Sequence, residues 1–65
     1  MHIIINQQDF DLPQGATLDD ALAAFGARPP FAVAVNLGFV HRQDYPTTLL
    51  QAGDRVEVVQ PVAGG

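Results

Sequence analysis

The sequence closes on Gly64-Gly65, and that pair is where its residue types most plainly offer chemistry. With no Cβ on either residue, a carboxylate at this end can thread a narrow channel and adopt backbone angles denied to other residues. Such a carboxylate is ionised at neutral pH, with a pKa near ~3.5. It can attack the α-phosphate of a nucleotide held by another protein, giving an acyl-adenylate. A sulfur nucleophile can then convert Gly65 to a thiocarboxylate, and no side chain of the chain itself is needed. Chance puts glycine in both of the last two places roughly once in 200 chains. A frayed end or an expression scar would do the same. Against that, the tail 61–65 that carries the pair follows a predicted strand directly, with no serine or tag-like residue nearby. From Pro61 to Gly65 the chain can extend about 17 Å at ~3.4 Å per residue.

Composition narrows the alternatives. The 65 residues include no cysteine, serine, lysine or tryptophan, and the three basic residues are Arg28, Arg42 and Arg55. Missing cysteine removes disulfides, thiolate metal clusters and a cysteine nucleophile together. Missing serine removes the usual hydroxyl nucleophile, and missing lysine leaves no ε-amine on which an activated chain end could form a self-conjugate. A net charge of −4 argues against nucleic acid, which calls for a basic footprint. His2 and His41 lie far apart in sequence, and a metal site needs three or four ligands in one place, so no metal is expected. Asp19-Asp20 is explained by charge complementarity at a helix start. Gly15, Gly26, Gly38 and Gly53 are isolated turn glycines, and no G-x-x-x-x-G-K-[ST] phosphate loop exists. The chain is therefore expected to bind no cofactor, and any ATP must be held by a partner. Apolar runs such as Phe31–Val35 fall far short of the roughly 18 residues that suggest a membrane span. The start carries neither a basic n-region nor a cleavage pattern, so a cytoplasmic chain without a signal peptide is expected.

These groups must be positioned by a small scaffold. Residues 1–65 are read as one domain, with 61–65 as an extended, flexible C-terminal tail. A chain this short buries only about 60% of its unfolded surface. His2–Asn6, with three consecutive isoleucines, reads as a strand. Phe10 and Leu12 alternate with Asp9 and Asp11 as the second arm of a hairpin, which Pro13-Gln14-Gly15 ends. Thr17 is a suitable N-cap, and Leu18, Ala21, Leu22 and Phe25 form one apolar stripe of a helix over 18–25. Gly26 and Pro29-Pro30 stop it. Phe31–Asn36 is the next strand, Asn36-Leu37-Gly38 a turn, and Phe39–His41 a short strand. Residues 42–50 read as irregular, with Tyr45-Pro46 biased away from helix and Leu49 and Leu50 as core anchors. Arg55–Gln60 is the last strand.

The order β-β-α-β-β-β gives an α+β domain: a mixed sheet of four to five strands with one main helix on one face. The helical crossover lets the last strand lie parallel to the first, which is the ubiquitin-like β-grasp arrangement. In that register Ile3, Ile5, Val33, Val35, Val56 and Val58 face the helix. Ile4, Ala34 and Val59 lie on the other face, with Phe39 nearby. These residues, with Val62 in the tail, form either a partly greasy open face or a docking surface for an activating enzyme.

The chain resembles the ThiS family, the sulfur carriers of thiamine biosynthesis. The resemblance spans nearly the whole sequence: its length, the Ile3-Ile4-Ile5-Asn6 opening, Ala34-Val35-Asn36, Val40-His41-Arg42, Gly53-Asp54-Arg55-Val56 and the closing Ala63-Gly64-Gly65. Where His41 stands, that family often has proline. The resemblance implies a carrier with no catalytic side chains of its own. A ThiF-type, E1-like adenylyltransferase would adenylate Gly65 with ATP. A persulfide from a cysteine desulfurase system would then replace AMP, and a ThiG-type thiazole synthase would accept the sulfur. In this reading Gly65 carries the sulfur, while Gly64 and Ala63 give access to it. The small subunit of molybdopterin synthase also ends in Gly-Gly and offers the same chemistry in usually longer chains. A non-catalytic ubiquitin-like binding module is the alternative from a different class.

Overall fold

The first strand, β1 (His2–Ile5), turns back into β2 (Gln8–Asp11) in the register His2↔Asp11 to Ile5↔Gln8. The two turn residues, Asn6 and Gln7, both have positive φ (48° and 67°). That is the mark of the primed turns whose twist matches that of the flanking strands. The protein is described, over residues 1–61, by a computed structural model.

The helix α1 (Leu18–Phe25) begins where the sequence places it. The Thr17 hydroxyl accepts the Asp20 backbone N–H at 3.2 Å, and the Asp20 carboxylate accepts the Thr17 N–H at 2.9 Å. This reciprocal capping box satisfies two otherwise orphaned donors. Gly26, at φ 81°, closes the helix by donating its N–H to the carbonyls of Leu22 and Ala23. A left-handed φ there is cheap only for glycine. With eight residues the helix is too short to stand by propensity. It is held by burial of Leu18, Ala21 and Leu22, while half-buried Phe25 meets Phe10 edge-on at 6.2 Å.

The chain continues through β3 (Ala32–Val35), a turn at Asn36-Leu37, β4 (Gly38–Val40), a 3₁₀ helix (Arg42–Thr47) and β5 (Arg55–Val59). The sheet order is β2-β1-β5-β3-β4, with β5 parallel to β1 and antiparallel to β3. This is the β-grasp arrangement expected from the element order. Core residues come from every layer: Ile3, Ile5, Val33, Val56 and Val58 from the sheet, the helix stripe, and Leu12, Ala16, Tyr45 and Leu50 from the connections. Val35, also expected on the helix face, is half-buried against this cluster.

Two asparagines fasten β5 at its two ends. The Asn6 side chain accepts the Val58 N–H at 2.8 Å and donates to the Val58 carbonyl at 3.1 Å, extending the β1–β5 pairing past the end of β1. Asn36 accepts the Arg55 N–H at 2.9 Å and donates to the Asp54 carboxylate at 3.0 Å.

Two local expectations are corrected. Residues 42–47 are a 3₁₀ helix rather than irregular chain, with Pro46 inside it and Tyr45 buried. The proline bias is overridden by packing: the Tyr45 ring stacks on Phe31 at 6.1 Å and 10°. The hydroxyls of Thr47 and Thr48 both donate to the Asp44 carbonyl, which helps close the turn. Only one of the two leucines that follow is a core anchor, since Leu50 is 4% exposed and Leu49 67%. The Leu18 N–H bonds the Thr48 carbonyl and the Leu50 N–H bonds the Ala16 carbonyl, so this segment is extended. Successive side chains of extended backbone point to opposite sides.

Candidate functional site

The expected reactive end, Gly65, lies outside the described residues, as do Gly64, Ala63 and Val62. What the structure describes is the platform from which they follow. The last strand ends at Val59, opposite Ala32. Beyond it the Gln60 side-chain amide donates to the Arg28 carbonyl at 2.9 Å, tying the end of β5 to the loop between α1 and β3. Pro61 is then exposed. This tie joins residues 32 apart in sequence, and no local signal announces it.

The open face of the sheet is set by strand register. Ala34 is opposite Phe39 on β4 and Glu57 on β5, and Ala32 is opposite Val59. Ala34, Phe39 and Val59 therefore occupy neighbouring positions on one face, together with Ala32, which the sequence reading did not single out. Phe39 and Val59 are each 63% exposed. The His41 ring stands edge-on to Phe39, with centroids 4.9 Å apart. This apolar strip covers the half of the open face from which the tail departs.

Ile4 lies on the same face but apart from the strip. Its cross-strand partners are Asp9 on β2 and Arg55 on β5, and it is half-buried. Arg55 and Glu57, both exposed, run along β5 between Ile4 and Ala34. A shallow depression of about 350 Å³ follows this seam, with Ile4 and Val59 among polar neighbours Asn6, Arg55 and Glu57.

A second groove, of about 600 Å³, runs between α1, the Pro29–Phe31 segment and the 3₁₀ helix. The stacked Phe31 and Tyr45 rings line it, as do Asp19, Asp20 and Arg42. The sequence signals for it were Pro29-Pro30 and Tyr45-Pro46, read only as helix breakers.

The two histidines sit in unrelated surroundings. His2 Nε2 is 2.8 Å from an Asp9 carboxylate oxygen, and His41 packs on Phe39. Among the described residues no group of three or more histidine or acidic side chains is placed to hold a metal ion. Nor is any helix among them long and apolar enough to cross a membrane.

The family model for the ThiS family matches residues 2–65. The chain belongs to the ThiS family. Membership over this span supports a sulfur-carrier role in thiamine biosynthesis. Two solved structures share the ThiS fold. One is a crystal structure of the thiamine biosynthesis protein ThiS from Geobacter metallireducens, with TM-score 0.81, 20% identity and full coverage of both chains. The other is a solution structure of a thiamine biosynthesis protein from the same organism. Its TM-score is 0.81 at 22% identity, covering all of this chain and 88% of that one. A comparison with curated proteins finds no match.

Proposed function

We propose that this chain carries sulfur as a thiocarboxylate on Gly65. The Gly65 carboxylate attacks the α-phosphate of ATP bound to a ThiF-type, E1-like adenylyltransferase, releasing pyrophosphate and leaving an acyl-adenylate. A persulfide supplied by a cysteine desulfurase system displaces AMP to give an acyl disulfide, and a second thiol of the donor protein cleaves its S–S bond, ending as a disulfide and leaving the thiocarboxylate on Gly65. The resulting thiocarboxylate gives its sulfur to a ThiG-type synthase for the thiazole ring of thiamine. The chain acts as co-substrate in the cytoplasm, and its partners supply nucleotide binding and catalysis.

The observation that carries this reading is the ThiS family match, which runs to the Gly64-Gly65 end. The placement of the apolar strip supports it. Val59, Ala34 and Phe39 lie on the tail-exit half of the open face, so a partner seated there would have the tail at its edge. Ile4 would sit at the margin of that contact, and Val62 is proposed to continue it. Up to about 17 Å of tail then reaches a reaction centre set back in the partner.

Deletion of Gly65 is expected to abolish adenylation while leaving the thermal midpoint of the domain unchanged, because the core is built from residues up to Val58. ATP–pyrophosphate exchange with the activating enzyme checks the first part and a melting curve the second. A truncated chain still adenylated at its new end would contradict the requirement for Gly65.

A further inference from the structure

The last strand has neighbours on both sides, since the sheet order places β5 between β1 and β3. Where such a strand runs on past its neighbours, its main-chain donors and acceptors are a template for any extended segment beside it. On the β1 side the pairing is closed by a side chain. The chain turns away at Asn6-Gln7, and the Asn6 side chain accepts the Val58 N–H and donates to the Val58 carbonyl.

On the β3 side the closure falls to prolines. In an antiparallel pair, hydrogen-bonded positions alternate with non-bonded ones. The Asn36 N–H donates to the Arg55 carbonyl at 2.7 Å, which fixes the phase of that alternation. With Ala34 opposite Glu57 and Ala32 opposite Val59, the bonded positions that follow are 34/57 and 32/59. Continued for two residues, the same register sets Pro30 against Pro61. Neither has an N–H, so both bonds of that pair are missing, one on account of each proline. The chain bends at Pro29-Pro30, and the tie described beyond Val59 comes from a side chain, the Gln60 amide on the Arg28 carbonyl.

We propose that Pro30 and Pro61 form a paired stop that keeps the C-terminal tail from zipping onto the end of its own sheet, leaving the Gly65 end open to engagement. The inference rests on the carrier reading and names the residues that position the tail for it. A tail paired with the segment before β3 has to be stripped off before it enters a partner. Only the unpaired fraction binds, and the apparent affinity falls by that fraction. Pro61 also keeps Gln60, the residue before it, out of the helical region, so the strand direction is held up to the tail root. Both are positioning residues: they act on the population of released tail and not on the chemistry at Gly65.

The test reads tail pairing and activation in the same full-length chains. Pro61→Ala supplies an N–H for the Pro30 carbonyl, and Pro30→Ala supplies one for the Pro61 carbonyl. The double variant supplies both. In amide hydrogen exchange followed by NMR, its two new amides should be protected about tenfold over an unpaired amide, and the new amide of each single variant less. In ATP–pyrophosphate exchange with the activating enzyme, KM for the chain should rise in the same order and by similar factors, with kcat unchanged. Pro30→Ala separates release from stiffness, because it leaves the sequence of the tail intact. Unprotected new amides, in variants whose Val33 and Val58 amides keep wild-type protection, would overturn the stop, since the ladder would then end without the prolines. Should the double variant lose that core protection, the single variants decide by the same criterion. Protected new amides with an unchanged KM would overturn the role in activation. A wild-type chain that elicits no exchange would overturn the carrier reading, while hydrogen exchange would still decide whether the prolines end the ladder.

Discussion

Asn6 holds together residues that the sequence keeps far apart. It turns the chain at positive φ and, through its side chain, stands in for one more residue of β1 beside Val58. Replacing it with alanine leaves a partly buried donor and acceptor unpaired, at about 1–3 kcal/mol. Asn6→Ala is expected to lower stability by that amount in a urea titration, and an unchanged midpoint would contradict the clamp. The second hairpin holds the opposite case. Leu37, at φ 72°, is 88% exposed, so its strained backbone gains nothing from core packing. A left-handed residue costs ~1–2 kcal/mol, of which glycine's extra unfolded-state entropy returns about half. Leu37→Gly is expected to raise stability by roughly 0.5–1 kcal/mol, seen as a higher thermal midpoint. A lower midpoint would show that the leucine side chain stabilises the fold. Both turns were legible, the first from the polar run that begins at Asn6 and the second from Asn36-Leu37-Gly38. The clamp was not, because its partner on β5 is 52 residues away.

Elements specified by local chemistry were read correctly. The bounds of α1 follow from Thr17, Asp20 and Gly26, whose partners all lie within four residues. Its buried side follows from the spacing of Leu18, Ala21 and Leu22. Leu22 is 4% exposed at the centre of that stripe, and Leu22→Ala should cost about 2–5 kcal/mol, measured by chemical denaturation. Retained stability would contradict the packing of α1 on the sheet. The 3₁₀ helix escaped the sequence reading because its determinant is tertiary. Tyr45 is held by its stack on Phe31, from a strand end fourteen residues earlier. Leu49 was misplaced for a related reason. Two adjacent leucines look equally suited to a core until pairing with residues 16–18 makes the backbone extended and sends them to opposite sides.

For the molecule as a whole, the element order was enough to derive the parallel β1–β5 pairing, since one helix had to cross over one sheet. The face opposite the helix was legible in outline: Ile4, Ala34, Phe39 and Val59 do share it. Its division was not, because that depends on which residues become neighbours across strands. Arg55 and Glu57 separate Ile4 from the strip, and the strip lies at the tail-exit end. With no cysteine, serine or lysine, the molecule offers few side chains that could compete for an activated chain end or carry sulfur in its place. In the proposed carrier role, all of the chemistry rests on the Gly65 carboxylate and recognition on the surface around the tail root. The most direct test is the intact mass of the chain after incubation with ATP, a competent activating enzyme and a sulfide source. One oxygen exchanged for sulfur, localised to Gly65 by fragmentation, is the predicted result. An unchanged mass, with the same enzyme shown to be active on another carrier, would contradict it.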